Sequence, residues 1–179
     1  QCFNVFNEIL KDDETLKIIC DNINRVIQKN TIFIITMLNK DKVNEKLKDS
    51  KFTITYYTNN ELLTLFEITN NEIKGNYQTV SILSPKDNVY PIPHYLIDEK
   101  YLIKELEKQC GLKLIENETF KHIFNNMKEY INISSEIDSE IKTRKFFSEK
   151  IQKFYEDTEI NKKNQEIMFL YSYYVFIKS

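Results

Sequence analysis

The chain has 179 residues, with 25 Lys and Arg against 27 Asp and Glu, and a formal net charge of −2 at pH 7. Its 41% hydrophobic residues are too many for a disordered chain, and a domain of this length buries roughly 70% of its unfolded surface. No apolar run approaches the roughly 20 residues of a membrane-spanning helix, and no signal-peptide pattern is present, so we expect a soluble, unsecreted domain.

The first quarter of the sequence predicts a helix, a strand and a second helix. Apolar residues at helical spacing predict an amphipathic helix over 13–29, which Asn30 can end. The β-branched and aromatic run over 31–36 predicts a strand that is buried on both faces. Asn39 suits the turn after this strand or a helix start, and residues 41–48 resemble a short polar helix.

The middle of the chain is rich in predicted strands. Residues 52–57, 62–68 and 77–83 carry β-branched and aromatic residues, and Asn- and Gly-containing turns separate them. This pattern predicts an antiparallel meander or an insertion. The Pro-x-Pro at 91–93 stiffens the connection that follows.

The second half returns to helices and strands. A helix is predicted over 98–110, and Gly111 stands where a left-handed residue would end it. A short strand is predicted over 112–115. The remaining predictions are helices over 118–131, most of 134–156 and 162–167, and a closing aromatic strand over 169–177.

This order of elements predicts an α/β fold. The strands are too few for a complete parallel sheet, so we expect the second half of a doubly wound sheet. Its cofactor crevice, at the carboxyl ends of the first strands, would precede Gln1. Because the chain begins with Gln, we take it as a fragment, a processed chain or a truncated record. We also expect the strand over 31–36 to be an unpaired edge, which would hinder folding of this half alone.

Glycine and cysteine usage excludes several kinds of site. With only Gly75 and Gly111, the chain cannot form a P-loop or a dinucleotide-binding loop. The three cysteines are far apart in sequence and only two histidines accompany them, which argues against a zinc site and a disulfide framework. We therefore expect reduced thiols and no metal.

Several short segments match one protein family in chain order. They are Gln1, the helix over 16–29 with the strand over 31–36, Asn39 in a turn, residues 52–83, Pro93-His94-Tyr95-Leu96-Ile97, Gly-Leu-Lys-Leu-Ile at 111–115 and Tyr173-Tyr174-Val175-Phe176. Together they resemble the C-terminal half of the messenger-RNA cap guanine-N7 methyltransferase family. The resemblance runs over nearly the whole chain and depends on the collinear set, not on one motif.

The resemblance implies a fold and an activity. Residues 1–179 would be part of a cap methyltransferase domain, the C-terminal half of a Rossmann-like class I S-adenosylmethionine-dependent sheet, with residues 52–83 as an insertion that walls the cap pocket. A methyl group would pass from S-adenosylmethionine to N7 of a GpppN cap. Catalysis would come from proximity and alignment, which can contribute roughly 7–11 kcal/mol, so no catalytic side chain is expected. The cofactor loop would lie upstream of residue 1.

The resemblance also implies site residues. Gln1 would contact the cofactor, while Phe6, His94 and Tyr173 would bind the cap. The family has a His-Tyr pair where Val5 and Phe6 stand, so Phe6 can stack on a base but Val5 cannot hydrogen bond. His94 replaces the family's Glu, which accepts two hydrogen bonds from guanine, whereas a neutral imidazole accepts one at most.

Three functional hypotheses follow. The first is the cap guanine-N7 methyltransferase, and the second is a non-catalytic, methyltransferase-like subunit that stabilises a catalytic capping partner. The third is a methyltransferase that acts on another RNA or on a small substrate. The expected partners are capped mRNA and upstream capping-enzyme domains or a second capping subunit, with no membrane and no DNA. The expected location is the cytoplasm, at a viral or plasmid replication site, or the nucleus for a cellular gene.

Overall fold

A computed structural model describes residues 2–3, 5–58, 61–84, 90–127 and 155–179. Residues 120–127 are helical. The other elements, in chain order, are Cys2–Phe3 (β1), Val5–Ile9 (α1), Asp13–Val26 (α2), Ile32–Leu38 (β2), Lys40–Lys46 (α3), Lys51–Thr58 (β3), Glu61–Lys74 (β4), Tyr77–Leu83 (β5), Ile92–Ile97 (β6), Glu99–Cys110 (α4), Leu112–Thr119 (β7), Glu159–Met168 (α5) and Tyr171–Lys178 (β8).

Four strands form the first sheet, in the order β1-β2-β8-β7. β1 is parallel to β2, whereas β8 lies antiparallel between β2 and β7. The last strand of the chain is thus inserted between two earlier ones. The helices and strands of the structure confirm the predicted α/β fold class.

The second sheet is an antiparallel meander in the order β3-β4-β5-β6. The strands predicted between residues 52 and 83 are present as β3, β4 and β5. β6 adds a fourth strand that the sequence analysis treated as a stiffened connection. Pro91 and Pro93 permit this because β6 pairs on one side only, with β5, so that its other edge requires no backbone N–H donors.

The strand β2 is not an unpaired edge, and that expectation is corrected. It pairs with β8 along its whole length and with β1 at Ile35 and Thr36. The long-range pairing with β8 could not be foreseen because residues Ile32 and Ile177, which face each other, are far apart in sequence. β2 is therefore mostly an interior strand, which agrees with its buried apolar sequence.

Each sheet has its own hydrophobic core. The first core lies between the first sheet and the helices α1, α2 and α4, and includes Leu16, Cys20, Leu102, Leu106, Tyr174 and Phe176. The second joins the inner face of the second sheet to α3 and to the start of β8, and includes Leu38, Val43, Ile68, Val80, Leu96 and Leu170. The two cores hold the second sheet over the carboxyl end of β2.

Polar caps fix three helix starts. The Asp12 side chain accepts a hydrogen bond from the Thr15 N–H at 2.9 Å, and Asp98 does the same for Tyr101 at 2.8 Å. Asn39 accepts from the Lys42 N–H at 3.1 Å, so it begins α3 as its position after the strand predicted.

Some predicted elements differ from the structure at their ends or lie outside it. α2 ends at Val26, before residue 29, because Ile27 already has an extended backbone with φ −100°. β7 runs to Thr119, and a bulge between Leu114 and Glu116 lets it continue. The helix predicted over 134–156 lies almost wholly outside the described residues. Among the described residues, no helix is long and apolar enough to cross a membrane.

Gly111 supports a stability prediction because it ends α4 with φ 62°. A Cβ there would lie 3.2 Å from Ser179 Oγ, so Gly111→Ala should lower the free energy of unfolding by roughly 1–2 kcal/mol. Gly75 has φ 56° but nothing within 4 Å of such a Cβ, so Gly75→Ala is the matched control. Urea denaturation should find Gly111→Ala the more damaging change. Equal losses would show that crowding at Ser179 has no effect.

Asp13 supports a pH prediction because it joins the helices α2 and α4 to the strand β5. Its Oδ1 accepts hydrogen bonds from the hydroxyls of Tyr101 and Tyr77, at 2.5 and 2.7 Å. The bond from Tyr101, then that from Tyr77, lowers the pKa of the Asp13 carboxyl. The hydrogen bond to Asp13 raises the pKa of Tyr101 to about 12.

The stabilisation from Asp13 is present above the unfolded carboxyl pKa of about 3.9 and is lost as pH falls through the lower folded value. The contribution of Tyr101 is present below about pH 10 and is lost as pH rises towards its folded pKa. In Asp13→Asn, the free energy of unfolding should therefore depend less on pH in both the acid and the alkaline range. At neutral pH it should be lower than in the unmodified protein by roughly 1 kcal/mol. Thermal unfolding between pH 3 and 11 tests this prediction. The same pH dependence of the unfolding temperature in the variant and in the unmodified protein would contradict it.

Candidate functional site

Asn7 joins the carboxyl end of β2 to the strand β6. The Leu38 N–H donates to Asn7 Oδ1 at 2.7 Å, and Asn7 Nδ2 donates to the Tyr95 carbonyl at 3.0 Å. Asn7 is 1% exposed, so these bonds are sheltered from water. The side chain thus fixes α1, β2 and β6 at one point, where the two sheets meet.

Three residues with polar side chains are neighbours of these contacts along the chain or across a strand pair. Glu8 follows Asn7 on α1 and is exposed, and His94 precedes Tyr95 on β6 and is half-buried. Tyr171, the first residue of β8, is paired with Leu38. The charge of Glu8 acts on the Tyr171 hydroxyl, whereas His94 is related to this point through the backbone of β6.

Tyr171 lies beside the end of β2, opposite Leu38. Its half-buried ring packs against the second core, and its centroid is 6.1 Å from that of Phe120. Burial raises the pKa of the Tyr171 hydroxyl, and the negative charge of Glu8 raises it further. The hydroxyl therefore stays protonated and can donate a hydrogen bond at neutral pH.

His94 lies on the inner face of the second sheet, opposite Val80 on β5. Its Nδ1 is 3.2 Å from the carbonyl oxygen of Ile92. When Nδ1 carries the proton and donates to that carbonyl, Nε2 is left as the acceptor. A neutral His94 in this state can accept one hydrogen bond from a ligand.

Tyr173 has a partner on the neighbouring strand. Its hydroxyl donates to the carboxylate of Glu116 on β7, and this bond raises the pKa of Tyr173 to about 12. Tyr173 lies two residues further along β8 than Tyr171, so both point to the same face of the sheet. Of the two, Tyr171 packs against the core of the second sheet, which also carries His94. The cap-binding role of Tyr173 stays a prediction.

Phe6 belongs to the first core. It is 2% exposed, and its ring centroid is 6.4 Å from that of Phe33. A base could stack on Phe6 only if the ring left this packing, and its cap-binding role stays a prediction. Gln1 lies outside the described residues, so its predicted contact with the cofactor stays a prediction as well.

Glu99 organises a hydrogen-bond network beside the site. Its carboxylate accepts from Asn39 Nδ2 at 3.3 Å, from the Tyr174 hydroxyl at 3.0 Å and from Asn117 Nδ2 at 3.0 Å. Asn39 also donates to Ser172 Oγ at 3.2 Å. The network ties the start of α3 and the first turn of α4 to the strands β7 and β8. The Asn39 N–H also donates to the Leu170 carbonyl at 2.8 Å, so Asn39 contacts the chain on both sides of Tyr171.

A cavity of about 300 Å³ lies between α3, the end of β7 and the turn before β8. Three lysines line it. Lys42 is paired with Glu45 at 3.0 Å and Lys46 with Glu166 at 3.9 Å, whereas Lys121 has no ion-pair partner among the described residues. Because Glu45 and Glu166 also line the cavity and balance two of the lysines, Lys121 supplies its excess positive charge. No group of three potential metal ligands occurs in the part of the chain that the structure describes.

The chain is similar in sequence to a viral protein. No family model matches it. It is 28% identical over 201 residues to the probable mRNA-capping enzyme of Acanthamoeba polyphaga mimivirus. That alignment covers 99% of this chain but 17% of the viral enzyme, so the chain spans about a sixth of its relative.

Two solved methyltransferases are similar in structure. One is an S-adenosylmethionine-dependent methyltransferase from Clostridium acetobutylicum ATCC 824, with TM-score 0.47 and 11% identity over 98% of this chain and 55% of that one. The other is the CcbJ methyltransferase from Streptomyces caelestis, with TM-score 0.46 and 12% identity over 99% of this chain and 55% of that one.

The sequence analysis did not identify Asn7 or Tyr171. The sequence does not indicate a role for Asn7, because its hydrogen-bond partners, Leu38 and Tyr95, are remote from it in sequence. Tyr171 could have been found from the two-residue alternation of the closing strand, since Tyr171 and Tyr173 lie on one face. The choice between them needed the register of β8 against β2.

Proposed function

We propose that this chain forms the cap-pocket half of an mRNA (guanine-N7)-methyltransferase. The reaction transfers a methyl group from S-adenosylmethionine to N7 of a GpppN cap. The observation that carries the proposal is the alignment of 99% of the chain with a probable mRNA-capping enzyme. The fold and the collinear motifs support it, because both correspond to the C-terminal half of the family that the sequence resembles.

In this proposal the side chains orient the cap. Tyr171 stacks on the guanine, and His94 on the second sheet accepts a hydrogen bond from the base edge. Lys121 and the paired lysines of the adjacent cavity attract phosphate groups of the transcript. Guanine N7 is already nucleophilic, so the protein raises the rate by holding it in line with the methyl donor.

S-adenosylmethionine supplies the electrophilic methyl group when it is bound. The described residues do not supply its glycine-rich loop, because Gly75 lies in the β4–β5 turn and Gly111 ends α4. We propose that the loop comes from residues before Gln1 or from a partner chain. The 179 residues alone should therefore bind S-adenosylmethionine weakly, and tight binding in a titration would refute this division.

The decisive experiment assays the polypeptide that contains this chain with radiolabelled S-adenosylmethionine. GpppA-capped RNA should accept label at N7 of the guanosine, which nuclease digestion and chromatography of the cap identify. Uncapped RNA should remain unlabelled. Label on uncapped RNA would favour a methyltransferase of different specificity, and absence of label on both would count against an enzyme.

A second candidate is a methyltransferase-like subunit that binds and stabilises a catalytic capping partner. An apolar groove of about 420 Å³ favours it. Phe6, Ile19 and Phe33 line this groove, and two exposed residues border it, Ile9 at 43% and Val26 at 76%. A stable complex with a capping enzyme, without methyl transfer when the missing half is supplied, would establish this alternative.

A further inference from the structure

Two adjoining cavities form a groove along α3, which we call the α3 groove. The first, of about 300 Å³, lies between α3, the end of β7 and Leu170. The second, of about 530 Å³, lies between the end of α3 and the start of β3. Glu45 and Lys46 line both cavities, so the groove is continuous across the end of α3. One end of it reaches Leu170, the residue before Tyr171, on which the proposed function stacks the cap guanine.

The α3 groove carries an excess of positive charge. Two glutamates line it together with five lysines, which are Lys42, Lys46, Lys48, Lys51 and Lys121. The whole chain, in contrast, has a net charge of −2. Positive charge is therefore concentrated on this surface, and such a concentration attracts anions.

Three of these lysines are available to a ligand. Lys121 lines only the first cavity and Lys48 only the second, and neither has an ion-pair partner among the residues that the structure describes. Lys46, which lines both, is 3.9 Å from the carboxylate of Glu166, a distance longer than a hydrogen bond. The other two lysines form closer pairs with carboxylates, at 3.0 and 2.9 Å. Free ammonium groups thus follow one another along the groove.

The turn between α3 and β3 places two lysines on one face. Lys48 and Lys51 exchange both backbone hydrogen bonds, at 3.0 and 2.8 Å, so their side chains leave the same side of a two-residue turn. Asp49 and Ser50 form this turn with φ of 49° and 67°, a backbone conformation that side chains disfavour. Like charges at opposed positions repel each other, and an anion near them offsets the repulsion. The turn therefore favours an anionic ligand in the second cavity.

We propose that the α3 groove binds the single-stranded RNA that follows the cap, through contacts of Lys46, Lys48 and Lys121 with its phosphates. The part of the inference that names the transcript rests on the proposed function. Phosphates recur along a strand, so ammonium groups spaced along a groove follow it without reading its sequence. The groove adds affinity for the transcript and takes no part in the methyl transfer.

The test measures binding of labelled ligands to the polypeptide that contains this chain, by fluorescence anisotropy. The ligands are GpppA, a GpppA-capped RNA of about ten nucleotides and the same RNA without a cap. Capped RNA should bind more tightly than GpppA. Lys48→Ala should weaken its binding about 5-fold at about 0.1 M salt, and should reduce the slope of log affinity against log salt by about 0.7, the value for one phosphate contact of a single strand.

Two further variants sharpen the test. Adding Lys121→Ala to Lys48→Ala should weaken binding of the capped RNA by about 25-fold, because two phosphate contacts are lost. Lys17→Ala is the matched control, an exposed lysine on α2 without an ion-pair partner in the described part of the chain, and should leave the affinity and the salt slope unchanged. Lys48→Ala should change GpppA binding by less than about 2-fold, since GpppA ends at the first transcribed nucleotide. Circular dichroism should find every variant folded.

The outcomes separate the inference from the proposed function. If GpppA binds and the longer RNA binds no more tightly, the inference is wrong and the proposed function stands. The inference is also wrong if Lys48→Ala keeps the affinity for capped RNA, or if Lys17→Ala lowers it equally. If uncapped RNA binds with the expected dependence on Lys48 while GpppA does not bind, the groove binds RNA and the proposed function fails.

Discussion

Replacing Asn7 by alanine is expected to lower the free energy of unfolding by about 3 kcal/mol. The substitution removes the acceptor of the buried Leu38 N–H and the donor to the Tyr95 carbonyl. An unsatisfied buried polar group costs roughly 1–3 kcal/mol, and two such groups would be left here. Urea denaturation followed by circular dichroism measures the loss.

Two further variants sharpen this prediction. Asn24→Ala is the control, because the Asn24 amide donates to the Gln109 carbonyl at 2.9 Å on the exposed surface and should cost under about 0.5 kcal/mol. Asn7→Asp keeps an acceptor for Leu38 and loses the donor to Tyr95, so it should also destabilise the protein. If the free energy of unfolding of Asn7→Ala is within about 0.5 kcal/mol of that of the unmodified protein, the contact between the two sheets does not depend on this side chain.

The same variant has a functional consequence under the proposed function. Asn7 contacts Leu38, which is paired with Tyr171, and Tyr95, which follows His94 on β6. Its loss should therefore weaken GpppA binding even where the protein remains folded. This effect would be indirect, so Asn7 would be a positioning residue.

The local elements of the fold could be predicted because short-range physics determines them. Asp12 and Asp98 begin their helices by accepting backbone N–H groups three residues later, and Gly111 ends a helix with a left-handed backbone. Alternating or continuous apolar residues marked the strands. All of these signals lie within a few residues of the feature they predict.

The parts that could not be predicted depend on contacts between remote residues. β1 and α1 are too short to show a periodic pattern of apolar residues. β6 was not predicted as a strand because Pro91 and Pro93 lie at its start. The position of Tyr171 beside Leu38 depends on the register of β8 against β2, which the sequence does not show. The Glu99 network likewise joins residues whose relation appears only in three dimensions.

The choice between the two tyrosines leads to the last prediction. Stacking of a base on an aromatic side chain contributes roughly 1–3 kcal/mol, so Tyr171→Leu should weaken GpppA binding by about 5- to 150-fold. Leucine keeps apolar contact with the second core, and circular dichroism should find the variant folded. Tyr171→Phe retains the ring and should bind GpppA within about 5-fold of the unmodified protein.

Tyr173→Leu is the matched variant on the same face of the same strand. It removes the hydrogen bond to Glu116, and we expect it to change GpppA binding by less than about 3-fold. The opposite result, with Tyr173→Leu damaging and Tyr171→Leu neutral, would contradict stacking on Tyr171 and would favour Tyr173, the residue that the resemblance implies. Because the two residues differ by one strand repeat, this pair of variants locates the guanine along β8.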